Sequence, residues 1–343
     1  MTFAETDTRV SLYGRRALGL TVIAAGLVLA VVLSLAFGTN PLTPGEVWEG
    51  LHRRTGSEAS AIVWSMRIPR TIVGIVVGAA FGVAGALIQA LTRNPLADPG
   101  LLGVNAGAGF AVTIGVGIYG GMNIDRYIWF AFAGAALATV LVYLIGSAGG
   151  RGTASPATLV LAGVAMAAVL GGVSSFLTLI DPITFERLRY WGLGSIAMTK
   201  LDETWSVLPF LGVGLLLALI LSGPLNSVAL GDDLAAALGT HIMRTRVLGV
   251  IAVTLLAGGG TALTGGIAFV GLMVPHVVRW FTGPDQRWII ACSALAAPVL
   301  VLVADVLGRI LGRPGEIEVG LVVAAIGAPV LIALVRRRKV SGL

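Results

Sequence analysis

The 343 residues predict an all-α, polytopic membrane protein of about ten transmembrane helices. Mean hydropathy is +0.93. Apolar residues make up 56% of the chain and charged residues 12%, about half the charged share of roughly 25% found in soluble proteins. Apolar runs close to the ~20 residues that cross a bilayer recur from one end to the other.

The first run, 17–37, is longer than a signal-peptide core of roughly 7–15 residues, and no small-residue cleavage site follows it, so it reads as a retained span. The next runs are 65–91, 101–119, 128–146, 157–180 and 204–222. Gly74, Gly78 and Gly82 recur every four residues in the second run, with Gly85 and Gln89 on the same face. Gly103, Gly107, Ala111 and Gly115 repeat that pattern in the third. Small residues at this spacing let helix backbones approach closely. A polar Gln89 on such a face lines a path or makes a buried interhelical hydrogen bond. The fifth run is rich in small residues, among them Gly163 and Ser174.

A polar stretch, 229–246, then interrupts the apolar pattern. It opens with Asp232 and Asp233 and closes with Arg244 and Arg246, the charge order that suits the two ends of a helix dipole. Leu234, Leu238, His241 and Ile242 recur at helical spacing, and Gly239 offers a break into two short helices. An apolar stripe outside the bilayer is a docking surface for a soluble partner or an ordinary inter-helix loop. Beyond it come runs 247–263, 265–281, 288–311 and 319–335. The pair 247–281 is the weak point, because Gly258-Gly259-Gly260 and Gly265-Gly266 crowd a short stretch. Two crossings there keep both termini on one side, whereas a single crossing plus a re-entrant segment would put them on opposite sides; the ten-span reading is favoured.

Lysine and arginine in short loops set orientation. With the N-terminus inside, thirteen basic residues are cytoplasmic and ten lie outside, which places both termini and the polar stretch in the cytoplasm. The surplus of positive charge flanks spans and carries no aromatic-interleaved patch, so nucleic acid is not a partner. One cysteine, Cys292, excludes a disulfide framework, and three scattered histidines suggest no metal site.

Charges within the spans are almost absent; Asp305 and Arg309, four apart near an outer end, can pair. No chain of acids exists for a proton relay, which argues against an ion-coupled secondary carrier. No glycine-rich turn precedes a lysine, so the chain itself holds no ATP. No nucleophile and base stand together, so it is not read as an enzyme.

Several stretches together resemble one family, the FecCD/BtuC-type permeases of ABC importers for iron siderophores and vitamin B12. They are RIPR at 67–70, QALTRNPLADPGLLGVNAGAGF at 89–110, LAGVAM at 161–166, LGDDLAAALGT at 230–240, GIAFVGLMVPHVVRW at 266–280, ADVLGRI at 304–310 and IGAPVLI at 326–332. They cover the chain in order from about Leu33. The resemblance implies a type II importer permease in the cytoplasmic (inner) membrane, one transmembrane domain over 1–343 with no cofactor of its own. It implies a second permease subunit, identical or paralogous, two cytoplasmic ATP-binding subunits carrying ATP and Mg, and an extracytoplasmic substrate-binding protein. The cargo it implies is a ferric siderophore, a catecholate of the enterobactin kind first, then other siderophores, haem or cobalamin. Carried onto this sequence, Arg67, Arg70 and Arg309 match outer-face arginines that meet acids on the binding protein. Asp232, Leu234, Leu238, Gly239, Ile242 and Arg244 match ATPase-coupling helices within 229–246. Gln89, Asn94, Leu96, Pro156, Ala157, Gly163 and Ser174 are candidates for path and gate, and 181–197 resembles a short extracytoplasmic helix.

Overall fold

The computed structural model describes residues 3–52, 57–119, 124–148, 156–180, 192–197 and 199–336, and its regular elements there are all helical. They run α1 (Phe3–Ala36), α2 (Pro44–His52), α3 (Glu58–Ile62), a π turn (Val63–Arg67), α4 (Ile68–Thr92), a 3₁₀ turn (Pro99–Leu102), α5 (Val104–Tyr119), α6 (Ile124–Ala148) and α7 (Pro156–Ile180). They continue with α8 (Leu201–Val228), α9 (Asp232–Ala237), α10 (Ile242–Thr264), α11 (Val270–Thr282), α12 (Gln286–Leu311) and α13 (Val319–Arg336). Each expected apolar run falls in its own helix. Among the described residues, seven helical segments are long and apolar enough to cross a bilayer, and Val104–Tyr119 and Val319–Ala333 are shorter apolar helices.

The π turn has a local cause. Pro69 lacks an N–H and cannot close a normal helical bond to Ser65. The Ile68 N–H reaches back five residues to the Val63 carbonyl instead.

α4 is the axis of the subunit. The most apolar stretch of the helix that contains it is 78% buried, against 11% for the corresponding stretches of α1 and α7. Its glycine stripe explains the difference. A Cβ on Gly78 would sit 2.7 Å from Cα of Pro298, and one on Gly82 would sit 2.7 Å from the Ser293 carbonyl oxygen. α12 therefore lies directly on the α4 backbone, and Gly85 brings Gly271 of α11 equally close.

Two connections depart from the expected pattern. α11 has only 13 residues, about 20 Å at 1.5 Å per residue, well short of a ~30 Å hydrocarbon core. Residues 265–269, which lead into it, are non-helical. Gly271 packs on Gly85 in the lower half of α4, while Arg16 near the inner end of α1 donates to the Thr282 carbonyl at 3.0 Å. The 247–281 stretch is thus one long apolar helix, α10, followed by a return segment that is helical only over α11. Non-helical backbone at this depth survives where protein surrounds it.

The second departure corrects an expectation. The run expected at 101–119 becomes helical only at Val104. The connection after α4 does not stay in the cytoplasmic loop. It climbs to the level of α11, where Cδ of Pro99 would be 2.8 Å from a Cβ on Gly271. Asp98 is carried with it, an acid at membrane depth where the sequence suggested none.

Candidate functional site

At the outer end, α1 stops with its last carbonyls unpaired and with no basic residue in its own final turn. Arginines from other helices fill the gap. Arg67 donates from Nη1 to Leu35 O (2.6 Å) and Ala36 O (2.8 Å), and from Nη2 to Asn40 O (2.9 Å). Arg309 Nη1 donates to Ser34 O at 3.1 Å and Phe37 O at 2.7 Å. Arg313 Nη2 reaches Gly38 O at 2.9 Å. Positive charge here also opposes the negative end of the α1 dipole.

Asp305 is the counter-ion of this clamp and is 0% exposed. Arg309 one turn later donates to its Oδ2, the i,i+4 pair expected from sequence. Arg70 donates to Asp305 Oδ1 from Nε (2.9 Å) and Nη2 (2.6 Å), and to Glu316 Oε2 from Nη1 (2.7 Å). Nearby in the loop before α13, burial pushes the Glu318 carboxyl above its usual range.

The three arginines matched to binding-protein docking are thus brought together, but facing their own chain. Arg67 is 3% and Arg309 2% exposed. Of the outer-end ion pairs among the described residues, that of Arg70 with Glu316 reaches the surface most, with side chains 12% and 29% exposed.

The inner end is built differently. α9 begins after Gly231, whose φ of 107° suits glycine, and ends before Gly239 at φ 80°. Gly239 therefore breaks the stretch into two helices, as its position suggests. Asp232 is tied to Arg246 Nη2 at 2.8 Å and to Arg93 Nη2 at 3.3 Å. Arg93 holds a left-handed conformation, φ 50°, at the end of α4. One face of α9 anchors through Ala235, which is 0% exposed. Leu230, Leu234 and Leu238 project away, 61%, 49% and 60% exposed. Ile242 is half-buried and Arg244 exposed. Beside them His241, Met243, Arg244, Val247 and Leu248 line an open hollow of about 540 Å³.

Gln89 serves the interior. It is 0% exposed, and Nε2 donates to the carbonyls of Gly271 and Leu272, 3.1 Å each. Pro275 has no N–H to offer the Gly271 carbonyl four residues back. Gln89 replaces that missing donor, which is the interhelical alternative of the two open from sequence. Asn94 Oδ1 accepts from the Leu96 N–H at 2.9 Å, closing the turn at the end of α4. Gly163 is buried and Ser174 half-buried on α7. A Cβ on Gly171 or Gly172 would meet nothing within 4 Å, so that part of α7 stands clear of the subunit. The side chains of Pro156 and Ala157, and all of 181–191 within the expected short outer helix, lie outside the described residues.

Reading the sequence missed Asp98 and Glu316. The Asp-Pro-Gly at 98–100 is a helix-start signal that could have flagged the first. Glu316 carries none.

Residues 26–337 match the FecCD transport family. The ferric enterobactin transport system permease protein FepD of Escherichia coli (strain K12) is 47% identical over 328 residues, 95% of this chain and 97% of its own length. The siderophore transport system permease protein YfiZ of Bacillus subtilis (strain 168) is 34% identical, covering 91% of this chain and 93% of its own. The vitamin B12 import system permease protein BtuC of Serratia proteamaculans (strain 568) is 36% identical over 91% and 92%. Among solved structures, an inward-facing metal-chelate type ABC transporter superposes with a TM-score of 0.81 at 24% identity, covering 94% of this chain and 99% of that one.

Proposed function

The chain belongs to the FecCD transport family, and we propose that it is the permease subunit of an ATP-driven importer for a ferric siderophore, a catecholate of the enterobactin type first. The observation that carries the substrate class is the 47% identity to a ferric enterobactin permease along nearly the whole of both chains. A permease of this family is a transport subunit in the inner membrane. It draws energy from an ATP-binding partner and cargo from an extracytoplasmic binding protein.

Our reading gives each end of the molecule a partner. One of the two ATPase subunits engages 229–246 of this chain, with Leu234, Leu238, Gly239 and Ile242 as the contact face and Asp232 and Arg244 as its frame. The exposed leucines support this, since an apolar stripe on a polar helix gains free energy only when covered. The binding protein docks on the outer face, where Arg70 and Glu316 offer the accessible part of the arginine clamp, while Arg67 and Arg309 act from beneath. A second permease subunit, a copy or a paralogue, packs against the free part of α7, and the path runs between the two. In that scheme Asn94, Leu96, Pro156 and Ala157 form the inner gate, and Gly163 and Ser174 line the path.

Uptake into proteoliposomes that hold the chain with its co-purified partners tests this. Ferric enterobactin presented with the binding protein should accumulate only when ATP is hydrolysed. Accumulation driven by a proton gradient without ATP would overturn the importer reading. ATP-driven uptake of cobalamin or haem in preference would overturn the substrate.

A further inference from the structure

We propose that the inner end of α1 holds an anionic phospholipid, its phosphate bound by Arg15 and Arg16 where they meet the end of α11. The inference does not depend on the cargo. It concerns a surface that the importer reading leaves without a partner.

The inner half of the peripheral α1 rests on α11. The Phe281 ring packs directly on Gly19, where any Cβ would clash. One turn earlier, Arg15 Nη2 donates to the Trp280 carbonyl, and Arg16 Nε donates to the Thr282 carbonyl at 3.0 Å. The Arg16 guanidinium also stands 5.1 Å from the ring centroid of Trp288 on α12, a cation–π distance. Both arginines are thus held in place by groups that carry no full charge.

The charges there do not balance. The carbonyl end of a helix amounts to about half a negative charge, against two full positive ones. Among the described residues neither arginine has a carboxylate partner. Asp285, three residues beyond Thr282, is already engaged: its Oδ1 accepts from Asn226 Nδ2 at 2.9 Å and from the Arg287 N–H at 3.1 Å. Arg15 uses Nη2 and Arg16 uses Nε on the α11 carbonyls, so each guanidinium keeps further N–H groups for an acceptor. An anion with several oxygens meets that need, and the arginine fork suits phosphate.

The surroundings say which phosphate. Tyr13 and Trp280 flank the pair and are exposed, and amphipathic rings of this kind sit at headgroup level. Anionic headgroups of the cytoplasmic leaflet attract basic residues at its surface. Leu18 and Val22, three and seven residues after Arg15, share its face of α1 and are exposed as well. A phospholipid covers that apolar face with its acyl chains, which a free phosphate cannot do.

The test takes the purified chain with its co-purified partners in detergent and adds equal amounts of phosphatidylglycerol and phosphatidylcholine. Native mass spectrometry then counts the lipids retained. The native protein should keep phosphatidylglycerol in preference. Arg15→Gln and Arg16→Gln, made singly so that one arginine still holds α11, should each lower that preference about fivefold, the value of one basic residue beside an anionic headgroup. Arg287→Gln controls for diffuse charge at the same end, because its guanidinium lies near Gly223 of α8 instead, and it should keep the native preference. Excess glycerol phosphate should leave the lipid in place; displacement would give the site to a free phosphate and overturn the lipid. No preference in the native protein, native preference in both single variants, or an equal fall with Arg287→Gln overturns the site.

Discussion

Asp305 at the outer end is wholly buried between Arg70 and Arg309, whereas Asp232 at the inner end is 36% exposed between Arg93 and Arg246. Both acids bridge two arginines, yet they do different work. The outer pairs close the molecule on itself, and with Arg67 they fasten the peripheral α1 to α4 and α12. The inner pairs hold the frame of α9 and leave Leu230, Leu234 and Leu238 uncovered. Charge at an outer face is thus no sign of a free docking surface. Uncovered apolar side chains on a short polar helix are the better sign.

Breaking the outer cluster should have the largest effect. Asp305→Ala removes the shared counter-ion of Arg70 and Arg309 and should cost about 3–5 kcal/mol, because a buried charge left unpaired is expensive. Thermal unfolding of the purified chain in detergent measures it. A loss under 1 kcal/mol would mean that water or lipid reaches the clamp.

A middle-sized effect belongs between the two ends. Gln89→Leu keeps the volume but leaves the Gly271 carbonyl without a donor, which should cost about 1–3 kcal/mol. The same unfolding measurement should show it together with faster proteolysis near 265–271. Unaltered stability would mean that the α11 start has another donor.

The smallest effect should come from the exposed inner pair. Arg93→Ala removes one ion pair to a partly solvated Asp232 and should cost about 0.2–1 kcal/mol, less in high salt. A cost like that of Asp305→Ala would erase the distinction between the ends.

How much of this was legible in the sequence follows from which rules act locally. The apolar runs, the interruption at 229–246 and the break at Gly239 depend on residues near in sequence, and they are where periodicity puts them. The Asp305–Arg309 pair, four residues apart on one helix, was legible for the same reason. The other partners of these residues were not: Arg70 lies 235 residues from Asp305, and Arg309 lies 275 residues from Ser34. Arginines near span ends read alike whether they meet a partner or the carbonyls of α1. The half-helix α11 was visible only as crowding of glycines, because a break that is buried in protein keeps an apolar composition. Asp98 was hidden by the opposite effect: a polar Asn-Pro-Leu-Ala-Asp-Pro segment reads as a surface loop, yet it enters the bundle because its polar groups are paired there. α2 and α3 lie in a connection whose mixed composition gave no period.

The most direct test compares Leu238→Asp with the native chain in its binding to the cognate ATP-binding subunit. The uncovered stripe predicts that affinity falls by about 2 kcal/mol or more, as for the loss of a central contact residue, and that ATP-driven uptake stops. It also predicts an unchanged unfolding midpoint, since Leu238 is 60% exposed and packs little against its own chain. Native affinity and uptake in that variant would contradict the assignment of 229–246 as the face that receives the ATPase.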